Sequence, residues 1–472
     1  MKMNTFGKRY WKKVRLVLAF VLAVATVGCG GLIRKDYARP SVDLPDAWQA
    51  LPVTGETVLS TDQWWRVFDD PQLDQLIADV LLRNNDLAAA TIKVRKARLT
   101  AGLEATNRTP DFSVGASGST QRDLDSGDHS RSGSTTTSLS WELDLWGKLA
   151  SSRDAAEWEA RATEQDRANT ALTLVGTTAD LYWQIAYLNQ AIQTSREGIA
   201  YTQRSLDLVR IKYQAGSVSR LELVQAEQDV ESQKADLTDL LQQMAEARSS
   251  LAVLFDQAPG KVMADPQRLT EMPMPALAAG IPAAVLAQRP DLKAAEMRLR
   301  STLEDENSTR ASYYPSLSLT SSLGTSSTHL VRLLENPVAT LGADLALPFV
   351  EWNQARLNTQ IAEAEYEQAV VEFRQTLYEA LQDVENALSA RTHYLQQETA
   401  LRRSCTLAKT AEQMAETRYR AGETGVQDWL DQQQTRRTAD LALAKNRYNQ
   451  LQNMMTLYQA LGGDTSTDKH PE

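Results

Sequence analysis

Leu139-Ser140-Trp141-Glu142-Leu143-Asp144-Leu145-Trp146-Gly147-Lys148 decides the fold of this chain. Leu139, Trp141, Leu143 and Leu145 alternate with Ser140, Glu142 and Asp144, and period two is the pattern of a strand with two unlike faces. Gly147 ends the pattern, and from there to Ala258 the sequence contains no proline. Leu149 to Lys212 then reads as one helix of about 64 residues, or about 96 Å at 1.5 Å per residue. Within it Leu172, Val175, Ala179, Tyr182 and Ala186 step by three and four, a stripe that buries against other helices. A helix well beyond 25 residues belongs to coiled-coil packing rather than to a globule.

The same order of elements occurs twice. Asp86-Leu87-Ala88-Ala89-Ala90 corresponds to Asp291-Leu292-Lys293-Ala294-Ala295, and the register holds through Arg95 with Arg300, Pro110 with Pro315 and Ser117 with Ser322. Lys212-Tyr213-Gln214-Ala215-Gly216 later meets Arg418-Tyr419-Arg420-Ala421-Gly422. So long a period is not a solenoid repeat; it is two copies of one large supersecondary unit. Each copy opens with a helical stretch, Asp86 to Thr106 and Asp291 to Ser312. A first alternating segment follows, with Phe112, Val114 and Ala116 in one copy and Leu317, Leu319 and Leu323 in the other. After a polar connection, Asp123 to Thr137 in the first copy, comes the second alternating segment, which in the second copy carries Leu341, Ala343, Leu345 and Leu347. A long helix with a returning partner completes each copy, and no proline interrupts Phe349 to His470. Gly216 and Gly422 are the hairpin turns, because glycine tolerates left-handed dihedrals.

Composition narrows the function classes. The 472 residues are 42% hydrophobic and 23% charged, ordinary for a folded protein. A mean hydropathy of −0.39 excludes a polytopic helical membrane protein. Fifty basic against 60 acidic residues, a net charge of −10, argues against nucleic acid as a partner. His129, His329, His393 and His470 lack a metal-ligand partner at i+3 or i+4, and no nucleophile motif or phosphate-binding glycine loop is present. The expectation is a protein that is not an enzyme and has neither metal nor cofactor.

The N-terminus reads as a targeting segment. Lys2, Lys8, Arg9, Lys12, Lys13 and Arg15 precede an apolar run from Leu16 to Val27, which ends at Gly28-Cys29-Gly30. A run of about 12 apolar residues is a secretory signal, too short to span a bilayer. Ala25-Thr26-Val27-Gly28-Cys29 resembles a bacterial lipoprotein signal, although Thr26 stands where leucine is usual. That motif implies lipidation of Cys29, and Gly30 rather than aspartate favours the outer membrane. An ordinary signal peptide with an incidental cysteine is the alternative. Cys405 is the other thiol, so no disulfide forms once Cys29 is lipidated.

Segments of about 8 to 12 alternating residues suit membrane strands. Four of them cannot close a barrel, and open edges in lipid leave unpaired backbone groups that cost several kcal/mol each. The pattern therefore requires a soluble sheet or an oligomer that shares one barrel. Here the sequence resembles the TolC-like outer-membrane efflux factors, in the NodT-type lipoprotein branch. The resemblance rests on Trp64-Trp65 with Phe68, Asp70, Pro71 and Leu73; on Trp141 to Lys148; on Gln288-Arg289-Pro290-Asp291 with Ala295-Glu296; on Tyr314-Pro315-Ser316-Leu317-Ser318-Leu319; and on Arg418-Tyr419-Arg420-Ala421-Gly422. It implies a mixed fold: a homotrimeric outer-membrane β-barrel, four strands from each chain, joined to a long periplasmic α-helical coiled-coil barrel. The implied function is the exit duct of a tripartite efflux system, lipid-anchored, with a periplasmic adaptor and an inner-membrane pump of the RND or another type as partners. The implied segments are a signal peptide at 1–28, an equatorial segment at 29–85, the first repeat at 86–257, a linker and equatorial segment at 258–290, the second repeat at 291–462 and a flexible tail at 463–472.

The resemblance also implies site residues. Asp428 and Asp431, three apart on one helix face just after Gly422, match the periplasmic constriction. In a trimer they give a ring of six carboxylates that draws cations or protons; otherwise they are a solvated acidic face. Tyr419 and Glu222 match the network that locks the hairpins together, and Glu222 is also the repeat equivalent of Asp428. Taken alone, Tyr419 serves packing as readily. Thr424 replaces the arginine of the family archetype, so one salt bridge is missing, with Arg418 or Arg420 as substitutes. The rival class is a periplasmic coiled-coil lipoprotein without a pore, which needs neither strand pairs nor duplication.

Overall fold

The structure, a computed structural model, describes residues 33–49, 63–261, 264–271, 287–327 and 337–463. Cys29 and its signal, His329, and the tail after Gly463 lie outside the described residues. In chain order the elements are a 3-10 turn at Trp64–Phe68, α1 Pro71–Arg83, α2 Asn85–Thr106, β1 Asp111–Arg122, β2 His129–Leu143, α3 Lys148–Gln214 and α4 Arg220–Leu254. The second set is α5 Pro290–Ala311, β3 Ser316–Ser327, β4 Pro337–Ala346, α6 Trp352–Ala421 and α7 Val426–Ala460. Helix α3 runs 67 residues and α6 runs 70, while the returning α4 and α7 have 35 each. None of the described helices is long and apolar enough to cross a membrane. The described residues form two compact units, one within 33–42, 93–164 and 294–375 and the other within 43–92, 165–293 and 376–463. Each unit takes residues from both repeats.

The first unit contains one four-stranded antiparallel sheet in the order β1-β2-β3-β4. Its register aligns Phe112 with Leu139, Leu139 with Ser321 and Ser321 with Leu341, and it aligns Trp141 with Leu319. Opposed residues share a face, so Phe112, Leu139, Trp141, Leu319 and Leu341 lie on one side. The next row, Ser113, Ser138, Ser322 and Thr340, lies on the other. The apolar side is uncovered within the chain: Phe112, Val114, Leu323 and Leu345 are exposed and Leu341 is 87% exposed. The polar side links strands through hydroxyls, with Ser117 Oγ and Ser134 Oγ at 2.8 Å.

Leu347 falls just past the end of β4, and two further boundaries differ from those read in the sequence. Asp123 to Thr137 is not a connection: the turn is confined to Asp123–Asp128, where the Asp123 carboxylate accepts from the amides of Asp125 and Ser126. Strand β2 then starts at His129, because serines, threonines and glycines pair with β1 as well as apolar residues do while showing no apolar alternation. Leu145 is not in the strand. The chain bends there to bring Asp144 to the start of α3, where its carboxylate accepts from the amides of Leu149 (3.1 Å) and Ala150 (2.7 Å).

An extended arm of the same unit, Arg34 to Arg39, lies along α5. Asn307 clasps Lys35, accepting from its amide (2.9 Å) and donating to its carbonyl (3.2 Å). Arg34 bridges Asp154 (3.0 Å) and Glu304 (2.5 Å), and Lys35 Nζ reaches Glu306 at 2.6 Å. Glu306, with no exposed side-chain surface, is also held by Arg310 at 2.6 Å. Tyr37 and Arg39 both engage Glu296.

The second unit has the larger apolar core. Leu73, Ile77 and Val80 of α1 pack with Val175, Trp183 and Ile185 of α3, Leu251 of α4, and Leu451 and Met454 of α7. Trp64 stacks on Tyr458 at 5.1 Å, and Phe68 meets Trp183 edge-on. Asp70 caps α1 through the amides of Gln72 and Leu73 and accepts from the Tyr182 hydroxyl at 2.9 Å. Arg289 is buried and donates to the carbonyls of Ala380 and Ala460 while pairing with Asp291 and Asp383. That fastens α6 and α7 to the start of α5.

Removing the arm's cations leaves Glu304 without a cation and Glu306 with Arg310 alone. Arg34→Met with Lys35→Met should lower the protection of α5 amides from hydrogen exchange by about 1–2 kcal/mol, since both cations are partly exposed. Adding Glu304→Gln and Glu306→Gln should recover much of that loss in the same measurement.

Candidate functional site

Of the residues singled out in the sequence, Glu222, Tyr419, Asp428, Asp431 and the two turn glycines stand at the hairpin tips of the second unit, while Cys29 lies outside the described residues. Both turns have the same cap. Gly216 (φ 73°) and Gly422 (φ 78°) are left-handed. The Ser217 amide donates to the Lys212 carbonyl (2.8 Å) and the Gly216 amide to Tyr213 (2.9 Å). In the second repeat Glu423 donates to Arg418 (3.0 Å) and Gly422 to Tyr419 (3.1 Å). This paired closure satisfies carbonyls that a helix end leaves free. After the turns, Ser219 Oγ accepts from the Glu222 amide at 3.4 Å, while its repeat equivalent Gly425 has no side chain to offer. Glu222 and Asp428 each stand in the first turn of a helix, where a negative charge complements the helix dipole.

The tips are joined by an apolar cluster of Leu206 and Val209 from α3, Ala226 and Val230 from α4, Tyr419 from α6, and Val426, Trp429 and Leu430 from α7. Tyr419 is only 1% exposed and stacks on Trp429, with ring centroids 5.3 Å apart. Lys212 Nζ sits 3.9 Å from the Tyr419 ring centroid and donates to the Tyr419 carbonyl at 3.2 Å. The Tyr419 hydroxyl, the Thr424 hydroxyl and the Trp429 indole N–H are buried without a hydrogen-bond partner within the chain. Burial first, and then the charge of Glu222, pushes the Tyr419 phenol up. Tyr419 is thus a packed ring with an unanswered hydroxyl, and Glu222 acts on it through charge rather than a bond.

Asp428 and Asp431 are exposed, and Asp431 accepts from Gln427 Nε2 at 2.7 Å. Arg418 reaches across its own turn to Glu423 (3.6 Å), and Arg420 pairs with Glu416 (2.7 Å). Neither arginine contacts Thr424 or the two aspartates. Further along the helices, buried polar side chains link the hairpins: the Thr202 hydroxyl with Gln433, Gln433 with Ser205, and the Tyr201 hydroxyl with Glu416. Beside them lies a cleft of about 900 Å³ whose charges pair with one another, as Arg402 does with Glu398 and Arg436 with Glu412. No group of carboxylates, histidines and thiols able to hold a metal occurs among the described residues.

The first unit holds a carboxylate cluster that no local pattern reveals, because its members come from four helices. Asp305 of α5 keeps surface in solvent. Desolvation, then the charges of Glu365, Glu304, Glu159 and Glu104, push it up to about 6. A carboxyl whose folded pKa exceeds its unfolded value contributes stability below the unfolded value, near 4, and loses it as pH rises through about 6.

Three comparisons bear on the whole chain. The outer membrane efflux protein family profile matches residues 76–255 and 281–463. The pyoverdine export outer membrane protein OpmQ of Pseudomonas putida is 33% identical over 435 residues, 90% of this chain and 93% of that protein. The cation efflux system protein CusC of Escherichia coli is 30% identical over 461 residues, 95% of this chain and 98% of that protein. Among solved structures, the open state of the Neisseria gonorrhoeae MtrE outer membrane channel superposes with a TM-score of 0.80 at 29% identity, covering 92% of this chain and 99% of that one.

Two outcomes test these local readings. Gly422→Ala should destabilise the tip by about 1–2 kcal/mol and Gly422→Asn by less, since a Cβ there meets nothing within 4 Å and the cost is that of the left-handed backbone; thermal unfolding of the two variants compares them. Asp305→Asn should raise thermal stability at pH 7 and flatten its dependence between about pH 4 and 6.

Proposed function

The chain belongs to the outer membrane efflux protein family, and we propose that three copies of it close one barrel and one tunnel as a homotrimer. The observation that carries this reading is the sheet. Strands of 12, 15, 12 and 10 residues are long enough to cross a hydrocarbon layer, which takes about 9–11 tilted residues. They turn one apolar face outward and leave β1 and β4 with an unpaired side each. Three sheets joined β4 to β1 satisfy every strand edge.

The chain is an outer-membrane efflux channel with a large periplasmic portion, and it works with an adaptor and an inner-membrane pump. Its two longest helices, at about 100 Å each, reach well into the periplasm. The relatives are named for different cargoes, pyoverdine for one and cations for another, which supports a passive duct whose selectivity is set by the pump. We place lipidation at Cys29, with the arm from Arg34 onward docked on α5 to hold the anchored end against the channel. Family and chemistry together supply no catalytic role.

The periplasmic end is the proposed gate. Asp428 and Asp431 of three copies form the constriction, and Tyr419 with Glu222 belongs to the network that keeps the hairpins together. Like charges crowded where water is scarce favour cations. Asp428→Ala with Asp431→Ala should raise single-channel conductance in planar bilayers and weaken cation preference, with little change in thermal stability because both side chains are exposed. Parental conductance and selectivity would put the constriction elsewhere. Mass spectrometry of the mature N-terminus should show a diacylglyceryl and acyl adduct on Cys29; an unmodified cysteine, or cleavage at another site, rejects the anchor.

A further inference from the structure

We infer that Lys212 is the latch between the two hairpins, and that it holds Tyr419 by the ring face and backbone carbonyl rather than through the hydroxyl. This rests on the reading of the hairpin tips as the gate. Three observations carry it. The ammonium lies 3.9 Å from the centroid of a ring that is itself backed by Trp429, so ring and cation are held in a fixed stack. The same ammonium donates to the Tyr419 carbonyl at 3.2 Å. The hydroxyl, by contrast, is buried and makes no hydrogen bond.

Position gives the contact its leverage. The Lys212 carbonyl closes the cap of the first hairpin by accepting from Ser217, and the Tyr419 carbonyl closes that of the second by accepting from Gly422. One side chain therefore connects the two capping motifs. It lies nearer the turns than the polar layer of Thr202, Ser205 and Gln433. Lys212 forms no ion pair with a carboxylate among the described residues, so its charge is committed to Tyr419. A half-buried ammonium facing a ring is worth more than one in open water. Thr424 brings no charge to the tip, so Lys212 is the cation that joins the hairpins beside the turns, while Arg437 joins them further along through Asp229.

The hairpins should separate when this contact is lost, and the open fraction of the channel should rise. Lys212→Met keeps the aliphatic stem and removes the charge. In planar bilayers it should raise the open probability roughly fivefold to thirtyfold. Lys212→Arg, which keeps a cation and donors over the ring, should stay near the parent. Tyr419→Phe should also stay near the parent, whereas Tyr419→Leu should open the channel as Lys212→Met does, and the two together should add little more. Lys212→Gln serves as a second neutral variant should Lys212→Met fail to assemble. Thermal unfolding of each variant separates gating from general damage: a latch changes open probability with little change in melting temperature.

The inference is overturned by a closed Lys212→Met or Lys212→Gln channel, or by a Tyr419→Phe channel as open as Tyr419→Leu. The second outcome assigns the lock to the hydroxyl. Failure of the gate itself is distinguishable, because the Asp428→Ala, Asp431→Ala protein would then conduct as the parent does whatever Lys212 shows.

Discussion

An unpaired strand edge in a hydrocarbon layer is the constraint on which the rest of the structure depends. The four strands of one chain align their apolar side chains into a single face and their serines and threonines into the other. Such a sheet is at odds with water on one face and with lipid at its two edges. One chain cannot resolve both conflicts, since four strands are too few to curl into a closed ring. The duplication is the economical answer at the level of sequence: one hairpin per repeat, two repeats per chain, and closure by other copies of the chain. The long helices follow from the same arrangement, because each strand pair hands the chain directly to a helix whose first turn is fixed by Asp144 in one repeat.

At the far end of those helices the stabilising logic changes from backbone closure to side-chain chemistry. Both turns use the same left-handed glycine and the same pair of amide–carbonyl bonds, yet their surroundings differ. Each repeat ends its long helix on a cation and a tyrosine, Lys212-Tyr213 and Arg418-Tyr419, but Tyr213 is exposed while Tyr419 is buried, Arg418 turns back to Glu423 while Lys212 reaches the other hairpin, and Ser219 caps where Gly425 cannot. A duplicated motif thus takes a different role in each copy, and the cation of the first meets the ring of the second. Buried donors without partners at Tyr419, Thr424 and Trp429 mark this end as less completely satisfied than the core around Arg289, where every guanidinium direction has a carbonyl or carboxylate.

Much of this was legible in the sequence because it repeats or is periodic. The step of three and four fixes α3, the duplication and the lack of proline carry it over to α6, the period of two fixes the apolar halves of the strands, and Gly216 and Gly422 fix the turns. The N-terminal half of β2 was not legible, since Ser130, Ser132 and Ser134 alternate with residues no more apolar than themselves. The arm was not legible either: Arg34 and Lys35 find Glu304 and Glu306 some 270 residues away, and an extended segment of mixed charge has no period. Tyr419 was visible as a motif residue, but sequence could not separate ring from hydroxyl. Lys212 read as an ordinary basic residue near a helix end, and only the crossing of the hairpins gives it a ring to face.

The central claim is that the free side of β4 pairs with the free side of β1 of the next copy. Site-directed disulfide formation tests this most directly, with one cysteine on β1 at Gly115 and one on β4 at Thr340, in a chain whose Cys405 is replaced by serine. Scanning the β1 position from Ser113 to Ser117 covers the unknown register. Oxidation in native outer membranes should yield, at one register, a covalent species of three chains that grows no further. A ladder that ends at two chains, or a chain that stays monomeric at every register while the channel still conducts, would contradict the shared barrel.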